Sequence, residues 1–241
     1  MVHVNNDGTR LAAMNSDLPA LRPSRHRDRA SDDPAQIRAI LDEGMIAHIG
    51  FIRGGWPVVL PFHYGIGDLG DGRGEQMIIH GSTGGRAFLD AAASEQGLPV
   101  SVCVSLNDAL VVGRSLYDIG AHYRSVVAYG QARRVPAGLG PAALDILVDH
   151  FLPGRRDEVR PTTRAELAAT AFISIPLDHA SAKATAMNPG EEPGDGEDRS
   201  VWAGIVPLAI RAEAPIPAPE TADPADLPES VRAFITRLNN C

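Results

Sequence analysis

The segment His80-Gly-Ser82-Thr-Gly-Gly-Arg86 gathers an imidazole, two hydroxyls, backbone N–H groups free of bulky side chains and a guanidinium into one short stretch. A strand that ends there, followed by a small-residue loop and a helix start, would hold a phosphate by hydrogen bonds and charge. The same residues also read as a tight strand-to-helix turn with Arg86 solvated. A second segment, His122-Tyr123-Arg124-Ser125-Val-Val, sets polar residues at the head of an apolar strand. It fits a ligand contact or a solvent-facing strand start. A third, Val58-Val-Leu-Pro61-Phe-His63-Tyr64, holds a proline inside a strand pattern. Proline is confined to edges and bulges, where backbone groups can turn from the ladder toward a ligand. Arg22, Arg25, Arg27 and Arg29 form a basic cluster, either a solvated arm or a source of one phosphate-binding arginine. His63 and His80 are of the type that exchanges protons near neutral pH; no residue is assigned as catalytic.

Other patterns carry less. Gly65-Ile-Gly67-Asp-Leu-Gly70 matches the dinucleotide fingerprint, but that motif requires a helix opening at its third glycine. Here Asp71-Gly-Arg-Gly-Glu75 and a strand pattern follow, so a hairpin loop is expected. Gly81–Arg86 lacks the Gly-Lys-Ser/Thr ending of a P-loop. The histidines show no zinc spacing, and no metal is expected. No G-x-S-x-G elbow is present.

The positioning elements are mostly short strands. Asp33-Pro34 reads as a helix start, with Ile37, Ile40 and Leu41 at helical spacing and Gly44 as the stop. Strands are expected at Ile46–Ile52 and Pro57–Tyr64, joined by a Gly54-Gly55 hairpin. A loop over Gly65–Gly74 and a strand over Gln76–His80 follow, and then a helix at Arg86–Ala93. Val100–Ser105 and Ala109–Gly113 read as a hairpin around residues 106–108. A long strand is expected at Tyr123–Val135, a helix at Pro141–Phe151, and strands at Ala171–Pro176 and Ser181–Met187. Residues 188–198 read as a solvated loop, 213–227 as a Pro/Ala-rich arm and 228–239 as a helix. This order fits a mainly β protein, a barrel with added helices, better than an alternating βαβ sheet.

Of 241 residues, 44% are hydrophobic and 22% charged, enough to bury a core. A net charge of −8 argues against a nucleic-acid surface. No apolar run of membrane-spanning length occurs, and the N-terminus has no apolar signal core, so a cytoplasmic protein is expected. Cys103 lies in an apolar run and Cys241 at the terminus, which gives no disulfide framework.

The motifs acquire meaning from their order. A Gly50-Phe51 to Pro61 hairpin is followed by His-Gly-Ser-x-x-x-Arg at 80–86 and Asp-Ala-Leu-Val-Val-x-x-Ser at 108–115. Tyr-Arg-Ser-Val-Val then stands at 123–127 and Trp-Ala-Gly-Ile-Val-Pro at 202–207. Across residues 22–210 the chain resembles the flavin-nucleotide-binding branch of the pyridoxamine 5'-phosphate oxidase family, which includes nitroimidazole-resistance reductases. The resemblance implies a six-stranded split β-barrel, homodimeric, with FMN between the protomers, that passes electrons or hydride to a small-molecule substrate. It implies a flavin-binding domain over 22–210; residues 1–21, which lack periodicity, read as a flexible tail and 211–241 as a Pro/Ala-rich arm with a C-terminal helix. Backbone at Pro61, His63 and Tyr64 would line the isoalloxazine. His80, Gly81 and Ser82, with Arg86, would hold the ribityl phosphate. Tyr123, Arg124 and Ser125 would contact flavin or phosphate, and Trp202 would close the site, from its own or the partner protomer; Trp202 also reads as a simple core residue. Two departures stand out. Ala87 replaces the lysine of an Arg-Lys pair, and Thr185 replaces the arginine of a Lys-x-Arg pattern. Three other readings share this barrel: a non-catalytic flavin module, a haem protein with a histidine axial ligand, and a deazaflavin binder.

Overall fold

The computed structural model describes residues 18, 19, 21, 29–85, 90, 95–185, 198–221 and 226–240. Arg22, Arg25, Arg27, Arg86 and nearly all of the Arg86–Ala93 helix and the 188–198 loop lie outside them.

Helix α1, Pro34–Glu43, begins where expected. The Asp33 carboxylate accepts a hydrogen bond from the Ala35 N–H at 3.1 Å, and proline occupies the first turn, where no N–H is needed. Gly44 ends the helix by donating its N–H to the Ile40 carbonyl. A side chain there would meet Val104 Cγ1 at 2.5 Å and Tyr64 Oη at 2.6 Å, so space rather than a left-handed φ demands glycine.

The strands are β1 (Ala30–Ser31), β2 (Ala47–Arg53), β3 (Trp56–Phe62), β4 (Tyr64–Asp68) and β5 (Glu75–Ser82). They continue as β6 (Leu98–Val112), β7 (Gly120–Arg134), β8 (Thr170–Pro176), β9 (Ala180–Ala184) and β10 (Gly204–Pro207). All pair antiparallel, in the order β3-β2-β6-β7-β8-β5-β4. β9 pairs with β7, β1 with β9 and β10 with β6. Val58 of β3 and Ile66 of β4, from opposite ends of that order, pack on one core with Val102, Val126 and Ile175. The sheet is therefore curled around a single interior, the mainly β split-barrel form. Ile37, Ile40 and Leu41 of α1 pack into that interior.

Helix α2, Gly140–Phe151, covers the outer face of β4, β5 and β8, where Leu147, Ile78 and Phe172 form a second cluster. This explains why Met77, Ile78 and Ile79 are buried in succession: both faces of β5 are covered. Helix α4, Glu229–Asn239, is tied back through Ser230, whose N–H and hydroxyl both donate to Glu158. These bonds push the Glu158 carboxyl down to about 2.

Four expectations need correction. Residues 98–112 form one strand, not a hairpin; Asn107 and Ala109 flank a bulge at Asp108, whose carboxylate is drawn to Arg124. The 65–74 loop begins later, because Tyr64–Asp68 is strand β4. Its glycines serve packing: a Cβ on Gly65 would strike the Ile146 carbonyl, and one on Gly67 would lie 2.8 Å from Ile146 Cγ1. Only Gly70, with φ +72°, needs the left-handed region in that fingerprint-like stretch, and a strand follows it. Ten strands appear among the described residues where the resemblance implied six; β1, β10 and most of β4 fall outside every segment expected to be a strand. A short helix α3, Arg164–Ala169, was not foreseen; Thr163 and Glu166 make a capping box at its start.

Candidate functional site

Strand alternation sorts the barrel wall into two faces. Ile49, Val102, Val104, Val126, Ala128 and Ala182 point into the core. Their neighbours therefore point outward, and the register aligns them in rows. One row runs Pro61–His48–Cys103–Val127–Ser181 across β3, β2, β6, β7 and β9. Another runs Ser105–Ser125–Lys183, and Asn107 stands beside Tyr123. From Pro61 to Val127 is three strand spacings, about 14 Å. The result is an outer shelf with hydroxyls at Ser101, Ser105, Ser125 and Ser181, the last donating to the Leu21 carbonyl at 3.3 Å. Gly50 leaves room for Ser101, whose Oγ a Cβ there would approach to 2.5 Å. The Cys103 thiol on this shelf is half-buried, which pushes its pKa up.

At one corner, Lys183 Nζ donates to the Tyr123 hydroxyl at 2.5 Å and lies 4.8 Å from the centre of that ring. Past Pro61 the chain leaves β3 through His63, which links β3 to β4 and is close enough to His80 for their charges to interact. His63 packs edge-on against Phe151 of α2, centroids 4.9 Å apart. His80 is exposed overall, yet partial burial of its ring, then the nearby His63, lowers its pKa. Beyond it the Ser82 hydroxyl accepts from the Gly84 N–H at 3.3 Å, and the Ser82 carbonyl from the Gly85 N–H at 2.8 Å, shaping a tight turn.

The structure thus brings Pro61, Tyr123 and Ser125 onto one face and joins His63, His80, Gly81 and Ser82 in a second group at its margin. Other predicted residues stand elsewhere. Tyr64 is wholly buried, and its hydroxyl donates to the Leu41 carbonyl at 2.6 Å. Burial raises its pKa, so only its backbone is available to a ligand. Arg124 points to the opposite side from Ser125. Its guanidinium is gripped by Glu43 at 2.6 and 2.8 Å and by Asp108 at 2.7 to 3.2 Å. Hydrogen bonds to Glu43, then to Asp108, raise its pKa further. Trp202 precedes β10, whose Gly204 pairs with Val112. That is five residues along β6 from Asn107, the near end of the shelf, about 17 Å, so within one protomer it lies off the shelf. Sequence reasoning missed His48, Ser101, Cys103, Ser105 and Lys183. The signal for three of them was present: Val100, Val102 and Val104 alternate with Ser101, Cys103 and Ser105.

An antiparallel sheet curled on one core, with helices at one end and on one outer face, is the architecture of the split-barrel flavoprotein class. The chain belongs to the pyridoxamine 5'-phosphate oxidase family, whose model matches residues 33–184. Among solved structures it is similar to an FAD- and haem-binding protein from Mycobacterium smegmatis. The two are 34% identical, the match covers 86% of this chain and 97% of that one, and the TM-score is 0.76. A flavocytochrome from Azotobacter vinelandii is 29% identical over 90% of this chain and 99% of its own, with a TM-score of 0.75. A nitroimidazole-resistance protein from Bacteroides thetaiotaomicron shares the fold, at 16% identity, 64% and 85% coverage and a TM-score of 0.50. No curated protein matches the sequence. Among the described residues no helix is long and apolar enough to cross a membrane.

Proposed function

We propose that this protein is a flavin-dependent oxidoreductase whose flavin lies on the outer shelf of β2, β6, β7 and β9. The carrying observation is the shelf itself. Its serine, cysteine and glycine side chains are small enough to seat a planar ring, and its hydroxyls and one ammonium suit a ring edge of carbonyl and N–H groups. The donor set at the margin suits phosphate: Ser82, the turn after it and, outside the described residues, Arg86. When bound, a flavin supplies hydride or single-electron transfer. The protein's part is to hold the ring level, exclude water and aim it at a small acceptor.

FAD is the flavin we favour over FMN. The 34%-identical relative binds FAD, and Ala87 in place of a lysine removes one partner of a terminal phosphate. A homodimer completes the reading. Trp56, Val59, Trp202 and Ile210 are each more than half exposed, apolar side chains that a partner protomer would cover. Trp202, off the shelf within its own protomer, could reach a partner's shelf. Haem is a second reading, supported because the same relative binds it; His48, His63 or His80 would be the axial ligand to test.

The experiment is an absorbance spectrum through gel filtration after incubation with FAD, FMN, deazaflavin or haem. Retained FAD bands on a dimer-sized species are expected. An added Soret band establishes the haem reading. Retention of deazaflavin alone, or of no flavin, overturns the proposal. Bound flavin that no reductant or acceptor turns over leaves a binding module rather than an enzyme.

A further inference from the structure

Lys183 is the only lysine in the chain; every other member of its 22 basic Lys and Arg residues is arginine. An arginine at this position would present a planar fork suited to phosphate or carboxylate, whereas lysine presents a compact point charge. The one lysine does not sit on open surface. It lies on β9 opposite Ser125, half-buried, at the corner of the shelf. Among the described residues its ammonium meets the Tyr123 hydroxyl and ring and no carboxylate. Of its three N–H donors, one goes to Tyr123, and two are left for a ligand. By contrast Arg124, the basic residue next to Tyr123 on β7, is bound on both sides by carboxylates and turned away from this face.

We propose that Lys183, held in place by Tyr123, is the charge that favours the reduced, anionic form of the bound flavin over the oxidised, neutral form. The inference rests on the flavin reading above. Two-electron reduction adds two electrons and one proton to the ring, leaving one negative charge on it. A single ammonium at the ring edge binds that product more tightly than the neutral starting form. A positioning role falls to Tyr123, whose hydroxyl and ring fix the flexible lysine stem.

The test uses the full-length protein, FAD as probe and dithionite as reductant, with redox dyes to read the potential. Lys183→Met should weaken the binding of oxidised FAD, since one ring-edge donor is lost. Its reduced complex should weaken about tenfold more, which for a two-electron couple lowers the midpoint potential by about 30 mV. Lys183→Arg should recover most of the shift, and Tyr123→Phe should reproduce part of it. Lys183 and the N-terminus are the chain's only amines for ¹³C reductive methylation. The lysine resonance in the parent should move on adding FAD and again on reduction. An unshifted potential in a flavin-loaded Lys183→Met, or equal weakening of both complexes, overturns the proposal while leaving the flavin reading intact. A lysine resonance that ignores both FAD and its reduction does the same, even if the methionine variant fails to fold. A parent protein that retains no FAD overturns the flavin reading, and this inference falls with it.

Discussion

Tyr64→Phe separates a core tyrosine from a ligand-lining one. In the structure the Tyr64 ring is wholly buried, and its hydroxyl, 2.6 Å from the Leu41 carbonyl, satisfies a C-terminal carbonyl of α1. Phenylalanine keeps the ring and strands that carbonyl without water. A buried acceptor left unpaired costs about 1–3 kcal/mol. With a urea slope of about 2 kcal/mol per molar, the unfolding midpoint should fall by roughly 1 M. A second signature lies in alkali. Burial raises the Tyr64 pKa above its unfolded value of about 10, so between these values only the unfolded chain releases this proton. The native state binds more protons there, and stability falls as pH rises, by at most about 1.4 kcal/mol per pH unit. The variant has no such proton to release. Urea titrations at pH 7, 9.5 and 11 should therefore show the gap between parent and variant constant at first and then narrowed by about 1 kcal/mol. A gap that stays flat to pH 11, or a variant of unchanged stability that loses flavin, refutes the placement of this hydroxyl in the core.

Arg124→Met should destabilise the fold by about 1–3 kcal/mol, because Asp108 and Glu43 lose their shared cation. The ratio of FMN to riboflavin affinity should not change, since the arginine is committed to carboxylates; a selective loss of FMN would reassign it to phosphate. Gly65→Ala forces a methyl group into the Ile146 carbonyl and should cost about 1–3 kcal/mol in thermal melts, with Ala at the open position Gly138 as a near-neutral control. Burial lowers the His150 pKa, and the ring nitrogen Nε2 lies 2.8 Å from the Gly44 carbonyl. The unfolded chain then takes up the proton first as pH falls, so this stabilising contribution is present above about pH 6.5 and lost below it. His150→Gln should flatten the stability profile between pH 7 and 5 by on the order of 1 kcal/mol, measured by urea unfolding; an unaltered slope would remove His150 as the cause.

Local chemistry made some elements legible. Asp33, Pro34 and Gly44 mark α1 because capping and helix termination act within a few residues. The alternation of Val100 to Ser105 marks β6 for the same reason. Gly65 and Gly67 misled, because they are glycines for the sake of a helix eighty positions later, and nothing nearby distinguishes that need from a turn. Asp108 misled in another way: one bulged residue and a two-residue turn have the same composition, and only the partner Arg124 decides between them. At the site, the family resemblance supplied Pro61, Tyr123 and Ser125. It treated Tyr123, Arg124 and Ser125 as a unit, although strand alternation sends Arg124 to the other face. His48 and Lys183 could not be read from any one segment. They join the shelf through pairing with β6 and β7, and cross-strand register is not written in a single strand.

The long β6–β7 hairpin also bears on how quickly the shelf can be built. Val111 and Gly120 pair across a separation of nine residues, whereas Gln76 and Pro176 pair across one hundred. Closing the longer loop costs about 2 kcal/mol more in chain entropy. Pairing is therefore expected to start at the tip of the hairpin and run inward, past the register shift at Asp108 to the row of serines. Pulse-labelled hydrogen exchange should protect β6 and β7 amides before those of β5 and β8. Ser101, Cys103, Ser105, Tyr123 and Ser125 would then be aligned before the barrel shuts, and β9 would bring its lysine to a floor already laid.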